Sequence, residues 1–325
     1  MTFFAVFFAL LIEQARPLMH QNWVHAGMRA WVRWVLRSLD AGQTHHGALV
    51  WGIAVGLPVV LTAAVHLVLW SYSMLLTLIW AVAVLYVTLG FRQFSHHFTE
   101  VRAALERGDE MAARRALAEW RKLPLEVVPA ADLVKHVIEC SALSVHRHVL
   151  GVLVCFVVFW LLGLGPAGAV LFRLADYMDA ACRAKTAMTA GSVTGGMSGA
   201  LVVWGARQPS EGACRAAAQA WRWINHVPAR ATALAFAVVG NFEEAVANWR
   251  QEAWGHDDPH DGIVLAATAG ALNLRMGANP SVQNTEPTAV QPQLAHLTNL
   301  VGLVWRSVVL WMLFLALVTL ARSMG

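Results

Sequence analysis

Apolar and polar positions in this chain alternate in long blocks, not residue by residue, and the blocks read as helices. Residues 3–12, FFAVFFALLI, predict a short and partly inserted first helix. No Lys or Arg precedes the run, and Glu13, Gln14 and Arg16 follow it where a cleavage site would need small residues, so no cleaved signal peptide is expected. Residues 48–70 and 73–90 predict two spans with Ser71 at the turn, and His66 near the end of the first in reach of water. Residues 148–164 predict another span, ended by Gly163 and Gly165, and residues 297–321 a last one that Arg306 interrupts. At about 1.5 Å per residue, runs of this kind cross or nearly cross the ~30 Å of a hydrocarbon layer.

The intervening stretches are amphipathic or polar. In residues 13–46, Met28, Trp31, Val32, Val35 and Leu39 recur at helical spacing, predicting an interfacial helix. In residues 91–147, Phe94, Phe98, Val101 and Leu105 form one stripe and Ala112, Ala116 and Trp120 a second. Gly108 and Asp109 divide them, which predicts a helical hairpin or a kinked helix. Pro124 and Pro129 mark a bend, and Asp132 is placed to cap the next helix. Residues 167–206, rich in Gly and Ala, suit close helix packing or a re-entrant bend. Residues 216–240 carry Asn225, Pro228 and Arg230 mid-run, as a helix lining a polar cavity would. Residues 278–293 read as a flexible linker.

Composition narrows this to a membrane protein. Hydrophobic residues make up 58% of the 325 and charged residues only 14%, against about a quarter charged in ordinary soluble domains. Fifteen Trp against three Tyr, many at the ends of apolar runs, fit membrane interfaces. The net charge of +4 comes from basic residues scattered beside apolar runs, which argues against a nucleic-acid partner. Segments 13–46 and 91–147 carry many of them and are separated by two predicted spans, so both are expected on the cytoplasmic side. The four cysteines show no CxxC pair, and neither a disulfide framework nor a zinc site is expected. The fold expectation is all-α and polytopic, a single membrane domain over 1–325. It has about four to six spans or half-spans around a polar cavity, a helical insert at 91–147, a linker at 278–293 and a C-terminal span at 297–321.

Candidate chemistry is sparse. Adjacent histidines such as His45-His46 and His96-His97 diverge by about 100° on a helix and are expected to pack, not to share an ion. His256, Asp257, Asp258, His260 and Asp261 are expected to be a solvated loop. Arg92 ends a span, whereas Arg230 and Arg275 lie in apolar stretches where an unpaired charge is costly. Asp176 and Asp179 are one helical turn apart and, with Glu139, could hold a metal ion or pair with arginines.

Four stretches carry a resemblance. TLGFRQFSHHFTEVRAALERGDEMAARRAL (88–117), FRLADYMDA (172–180), INHVPARATAL (224–234) and AATAGALNLRMGA (266–278) resemble, in order, stretches of the CobD/CbiB membrane proteins of cobalamin biosynthesis. The family's enzyme is adenosylcobinamide-phosphate synthase, an ATP-dependent amide-forming ligase. The resemblance implies Arg92, Asn225, Arg230 and Arg275 as phosphate- or ligand-binding residues, and Glu139 and Asp179 as metal or ion-pair residues; Asp176 joins them by helical spacing alone. It also implies a corrinoid or other phosphate-bearing ligand beside the lipid bilayer, and is compatible with a homo-oligomer.

The departures bear on activity. The family's Glu-Ser-x-x-Glu-Asn-x-x-Asp-Gly run corresponds to residues 139–148, where its second Glu, Asn, Asp and Gly are Leu143, Ser144, Arg147 and His148. Its Asp-Asp pair corresponds to Trp221 and Arg222, and a Ser-Pro-Asn…Pro-Glu segment is replaced by HDDPHDGIVLA. Such a set no longer holds Mg²⁺ in the same way, so Mg²⁺ and ATP are implied as cofactors only for a retained ligase. ALLIEQARPL, which lacks the enzymes' Gly-Asp-Pro, is similar to AmpE-type signalling modulators. The expected function is a scaffold for a phosphate-bearing amphipathic ligand, with a non-enzymatic AmpE-like modulator as the alternative.

Overall fold

The computed structural model describes residues 1–15, 23–40, 46–121, 133–189, 209–252, 258–274 and 292–324. Arg275, His45, His256, Asp257, the bend at Pro124 and Pro129 with Asp132, the Gly-rich part of 167–206 from residue 190, and the 278–293 linker up to residue 291 lie outside them. The described residues form helices and turns without a strand, confirming the all-α expectation. The chain divides into two units: Met1–Gln93, Ala118–Val128 and Val152–Asn225 form the first, and Phe94–Leu117, Pro129–Gly151 and His226–Gly325 the second.

Among the described residues three helices are long and apolar enough to cross a membrane: α3 (Gly47–Tyr72), α7 (Leu133–Leu161) and α12 (Leu294–Met324). Two shorter apolar helices, α1 (Thr2–Ala15) and α4 (Met74–Thr88), are only about 21–22 Å long, short of the ~30 Å of a hydrocarbon layer. α1 packs on α4; it buries Ala5, Val6 and Ala9, and turns Phe4, Phe7 and Phe8 outward. Small residues inside and rings outside are what close packing within lipid requires. The break between α3 and α4 falls at Ser73, not Ser71: Ser73 is extended and its hydroxyl accepts from the Leu75 N–H, whereas Ser71 stays helical.

In the first unit, α2 (Trp23–Leu39) turns its apolar stripe onto protein. Its stripe of Val32, Val35 and Leu36 joins a core with Val50, Ala54 and Val55 of α3. Leu174 and Met178 of α8 (Ala167–Thr189) and Ala213 and Ala217 of α9 (Glu211–Val239) complete it. The amphipathic pattern is therefore spent on protein contact; Leu39 falls off the stripe and is exposed. α3 contains a π-helical turn, Gly52–Gly56, just before Pro58. Proline lacks the N–H that would reach the Ala54 carbonyl, and Trp31 Nε1 donates to that carbonyl instead at 3.0 Å.

His66, expected at the edge of water, is buried: its ring lies 5.3 Å from that of Trp160 and against Gly165. Gly165 has a φ of +62°, and a Cβ there would strike the imidazole. Cys182 of α8 and Cys214 of α9 form a disulfide, contrary to expectation. Their separation of 32 residues gives no hint that the two helices bring them together.

In the second unit, α5 (Phe91–Glu106) and α6 (Glu110–Arg121) form the predicted hairpin. Gly108 has a φ of +73°, the Asp109 N–H donates to Ala104 O, and Asp109 Oδ1 caps α6 through the Ala112 N–H. α10 (Phe242–Glu252) packs on α11 (Pro259–Ala271), which is buried along its length. A Cβ on Gly270 would collide with the backbone at Glu244 and Ala245.

Candidate functional site

α8 is buried at every position from Phe172 to Asp179. A helix enclosed on all sides is normally apolar throughout, yet this turn carries Arg173, Asp176 and Asp179, with relative exposures of 1%, 7% and 6%. Arg173 Nη1 lies 3.8 Å from Asp176 Oδ2, too long for a hydrogen bond. Its Nε and Nη1 make no hydrogen bond. The guanidinium carbon sits 5.4 Å from the centre of the Tyr177 ring, within cation–π range. The Tyr177 hydroxyl is 2.7 Å from Nδ1 of His25, itself buried on α2. Asp179 Oδ2 lies 3.0 Å from Nη2 of the half-exposed Arg183.

This turn is the strongest candidate site in the first unit: a buried cation weakly countered, two carboxylates on the same helical face, and a hydroxyl–imidazole pair beside them. Phe172 packs on Trp221 of α9 with ring centres 5.2 Å apart. Asn225, one turn further along α9, is fully buried.

The second unit contains a different constellation. α7 includes a π-helical turn, His146–Leu150, whose extra residue buries both His146 and Arg147. His146 Nδ1 is 2.9 Å from the Thr232 hydroxyl on α9. Arg147 Nη2 donates to both carboxylate oxygens of Asp261 on α11, at 2.7 and 3.0 Å. The Asp258 side chain caps α11 through the His260 N–H, and the His260 ring meets that of His226 at 5.6 Å. The described part of the expected solvated loop is therefore tied into the fold.

The expected site residues separate. Asp176 and Asp179 share the α8 turn with Arg173. Glu139 is on α7 in the second unit, its Oε2 3.2 Å from Nδ1 of His136. Arg230 is on α9 in the same unit, its Nη1 donating to the His226 carbonyl of its own helix at 3.1 Å. Arg92 lies in the first turn of α5, with its side chain outside the described residues, as is the whole of Arg275.

Sequence reasoning passed over Arg173 and Tyr177, although both lie in FRLADYMDA. An arginine in an otherwise enclosed helix was the available signal. Nothing local pointed to His25, which is 152 residues from Tyr177. Nor could spacing show that Arg147 meets Asp261, 114 residues away.

Comparison with known proteins agrees with the resemblance. The family model described as CobD/Cbib protein matches residues 2–191. The chain is 30% identical over 289 residues to the "Cobalamin biosynthesis protein CobD" of Stutzerimonas stutzeri (strain A1501), covering 84% of this chain and 82% of that protein. The protein of the same name from Chromobacterium violaceum is 30% identical over 220 residues, 67% of this chain and 62% of its own length. That of Mycobacterium tuberculosis is 46% identical over 67 residues, covering 19% and 21%. No solved structure matches. With a family model over more than half its length, a relative matched over 84% of the chain, and apolar helices to match, this chain is a membrane protein of the CobD/CbiB family.

Proposed function

We propose that this protein serves cobalamin biosynthesis in the bacterial cytoplasmic membrane as a multi-pass CobD/CbiB scaffold. On this reading it binds a phosphate-bearing amphipathic ligand of the corrinoid type without acting as an amide-forming ligase. The observation that carries the ligand reading is Arg173. A buried guanidinium held 3.8 Å from its carboxylate neighbour has unmet hydrogen-bonding capacity that a phosphate oxygen satisfies. Asp176 and Asp179, one helical turn apart, share a face for the ligand's polar groups. Asn225, Arg92, Arg230 and Arg275 remain secondary candidates for binding phosphate. On this reading segment 13–46 and the α5–α6 part of 91–147 lie on the cytoplasmic side, while residues 133–147 belong to the apolar helix α7.

A specific observation supports loss of the ligase step. Arg147 stands where the family resemblance expects an acidic residue, and its guanidinium occupies Asp261, which lies in the segment that replaces another family stretch. A cation at that position repels Mg²⁺, and its carboxylate partner is already committed. The same observation supports an AmpE-like, non-enzymatic modulator as the second reading. The deciding experiment is twofold. Expression in a bacterium lacking the cobinamide-phosphate ligase is expected not to restore cobalamin-dependent growth; rescue would overturn the loss of chemistry. Purified protein in detergent is expected to bind a phosphorylated corrinoid, with Arg173→Met weakening binding about tenfold or more. Absence of saturable binding would leave the modulator reading standing.

A further inference from the structure

The turn His96-His97-x-x-Glu100 of α5 belongs neither to the Arg173 site nor to the Arg147 pair. α5 is amphipathic: Phe98, Val101 and Ala104 are buried, while His96 and Glu100 are exposed and His97 half-buried. Neighbouring histidines on a helix project about 100° apart and are not natural partners. Glu100, however, is four residues from His96 and three from His97, so it sits beside both. The two rings have turned toward it. Their centres are 5.7 Å apart, and one donor atom from each of the three side chains lies within 4.8 Å of the others. Among the described residues, this is the one group of three or more metal-ligating side chains so arranged.

We propose that His96, His97 and Glu100 form a binding site for a divalent transition-metal ion of the zinc class. Ligands at ~2.1 Å around a tetrahedral ion stand about 3.4 Å from one another. The rings and carboxylate must therefore close by ångström-scale rotamer changes, which exposed side chains make at small cost. Two imidazoles and a carboxylate suit Zn²⁺, Co²⁺ or Ni²⁺. With only one carboxylate and no carbonyl ligand, the site disfavours Mg²⁺ and Ca²⁺. Three protein ligands leave at least one coordination position open, so the site can take a water or a further ligand atom. It lies on a polar helix outside the three long apolar spans, where an ion reaches it from water.

The test uses the untagged full-length chain in detergent, titrated with Zn²⁺ by calorimetry and with Co²⁺ by visible absorption. One ion per chain is expected. His96→Gln and His97→Gln are each expected to weaken Zn²⁺ binding by about tenfold to a hundredfold, by analogy with losses at ordered metal sites. Co²⁺ absorption should disappear with them, while circular dichroism should show that each variant keeps its helical content. Millimolar Mg²⁺ should not compete. Binding that persists unchanged in the triple variant with Glu100→Gln, or no saturable binding by the wild type, overturns the proposal. Neither outcome bears on the Arg173 site, because corrinoid binding is measured separately.

Discussion

Among the described residues two arginines are buried, one in each unit, and their surroundings differ in a way that separates structure from function. Arg147 in the second unit donates to both oxygens of Asp261 at hydrogen-bonding distance. Arg173 in the first is more deeply enclosed, yet it stands 3.8 Å from Asp176 and leaves two guanidinium nitrogens without a hydrogen bond. Desolvating a charge is costly, and close carboxylate pairing is the usual way to offset it. Arg147 has that pairing and is accounted for by the fold. Arg173 has a looser pairing and a ring face beneath it, so its charge is the one available to a ligand.

The most severe break of this contrast is Arg147→Ala. Removing one member of a buried pair leaves Asp261 uncompensated and is expected to cost about 3–5 kcal/mol, read as a large loss of unfolding temperature in detergent. The double variant Arg147→Met/Asp261→Leu should recover most of that loss. If it remains as unstable as the single variant, the pair is not the source of the effect.

Reducing the Cys182–Cys214 disulfide, or replacing it by Cys182→Ser, is expected to cost about 2–4 kcal/mol, seen by comparing unfolding with and without reductant. This sharpens the comparison, because it loosens the unit that holds Arg173 without touching the site. Gly270→Val should cost about 1–3 kcal/mol by wedging α10 from α11, with corrinoid binding in the folded fraction retained. The smallest stability effect belongs to Arg173→Met: less than about 1 kcal/mol, because a poorly paired buried charge is exchanged for an apolar side chain of similar length. The same variant should give the largest loss of ligand binding. If its stability falls as far as that of Arg147→Ala, the two arginines are alike and the comparison fails.

Hydropathy could place the apolar helices but not say what each faces. α3, α7 and α12 all read as spans, yet 72% of the apolar window of α7 is buried, against 22% for α3 and 28% for α12. The same ambiguity misplaced His66, which meets Trp160 instead of water, and hid that the α2 stripe packs on protein. In each case lipid and protein interior are equally apolar, so the pattern of residues is the same for both. The hairpin at Gly108 was legible because its signals are local: two stripes, a positive-φ glycine and a capping aspartate.

By itself, the sequence determined that this protein is helical, that it belongs in a membrane, and where most helices begin and end. Those properties follow from periodicity, run length and turn chemistry within a few residues. Its ordered stretches of family resemblance also pointed to the CobD/CbiB family. Tertiary structure alone decided which polar residues meet. It paired Arg147 with Asp261, His25 with Tyr177 and Cys182 with Cys214, and left Arg173 weakly countered in an enclosed turn. These pairings join residues 32 to 152 positions apart. Burial makes them energetically decisive, and helix packing makes them possible, while local spacing carries no record of either.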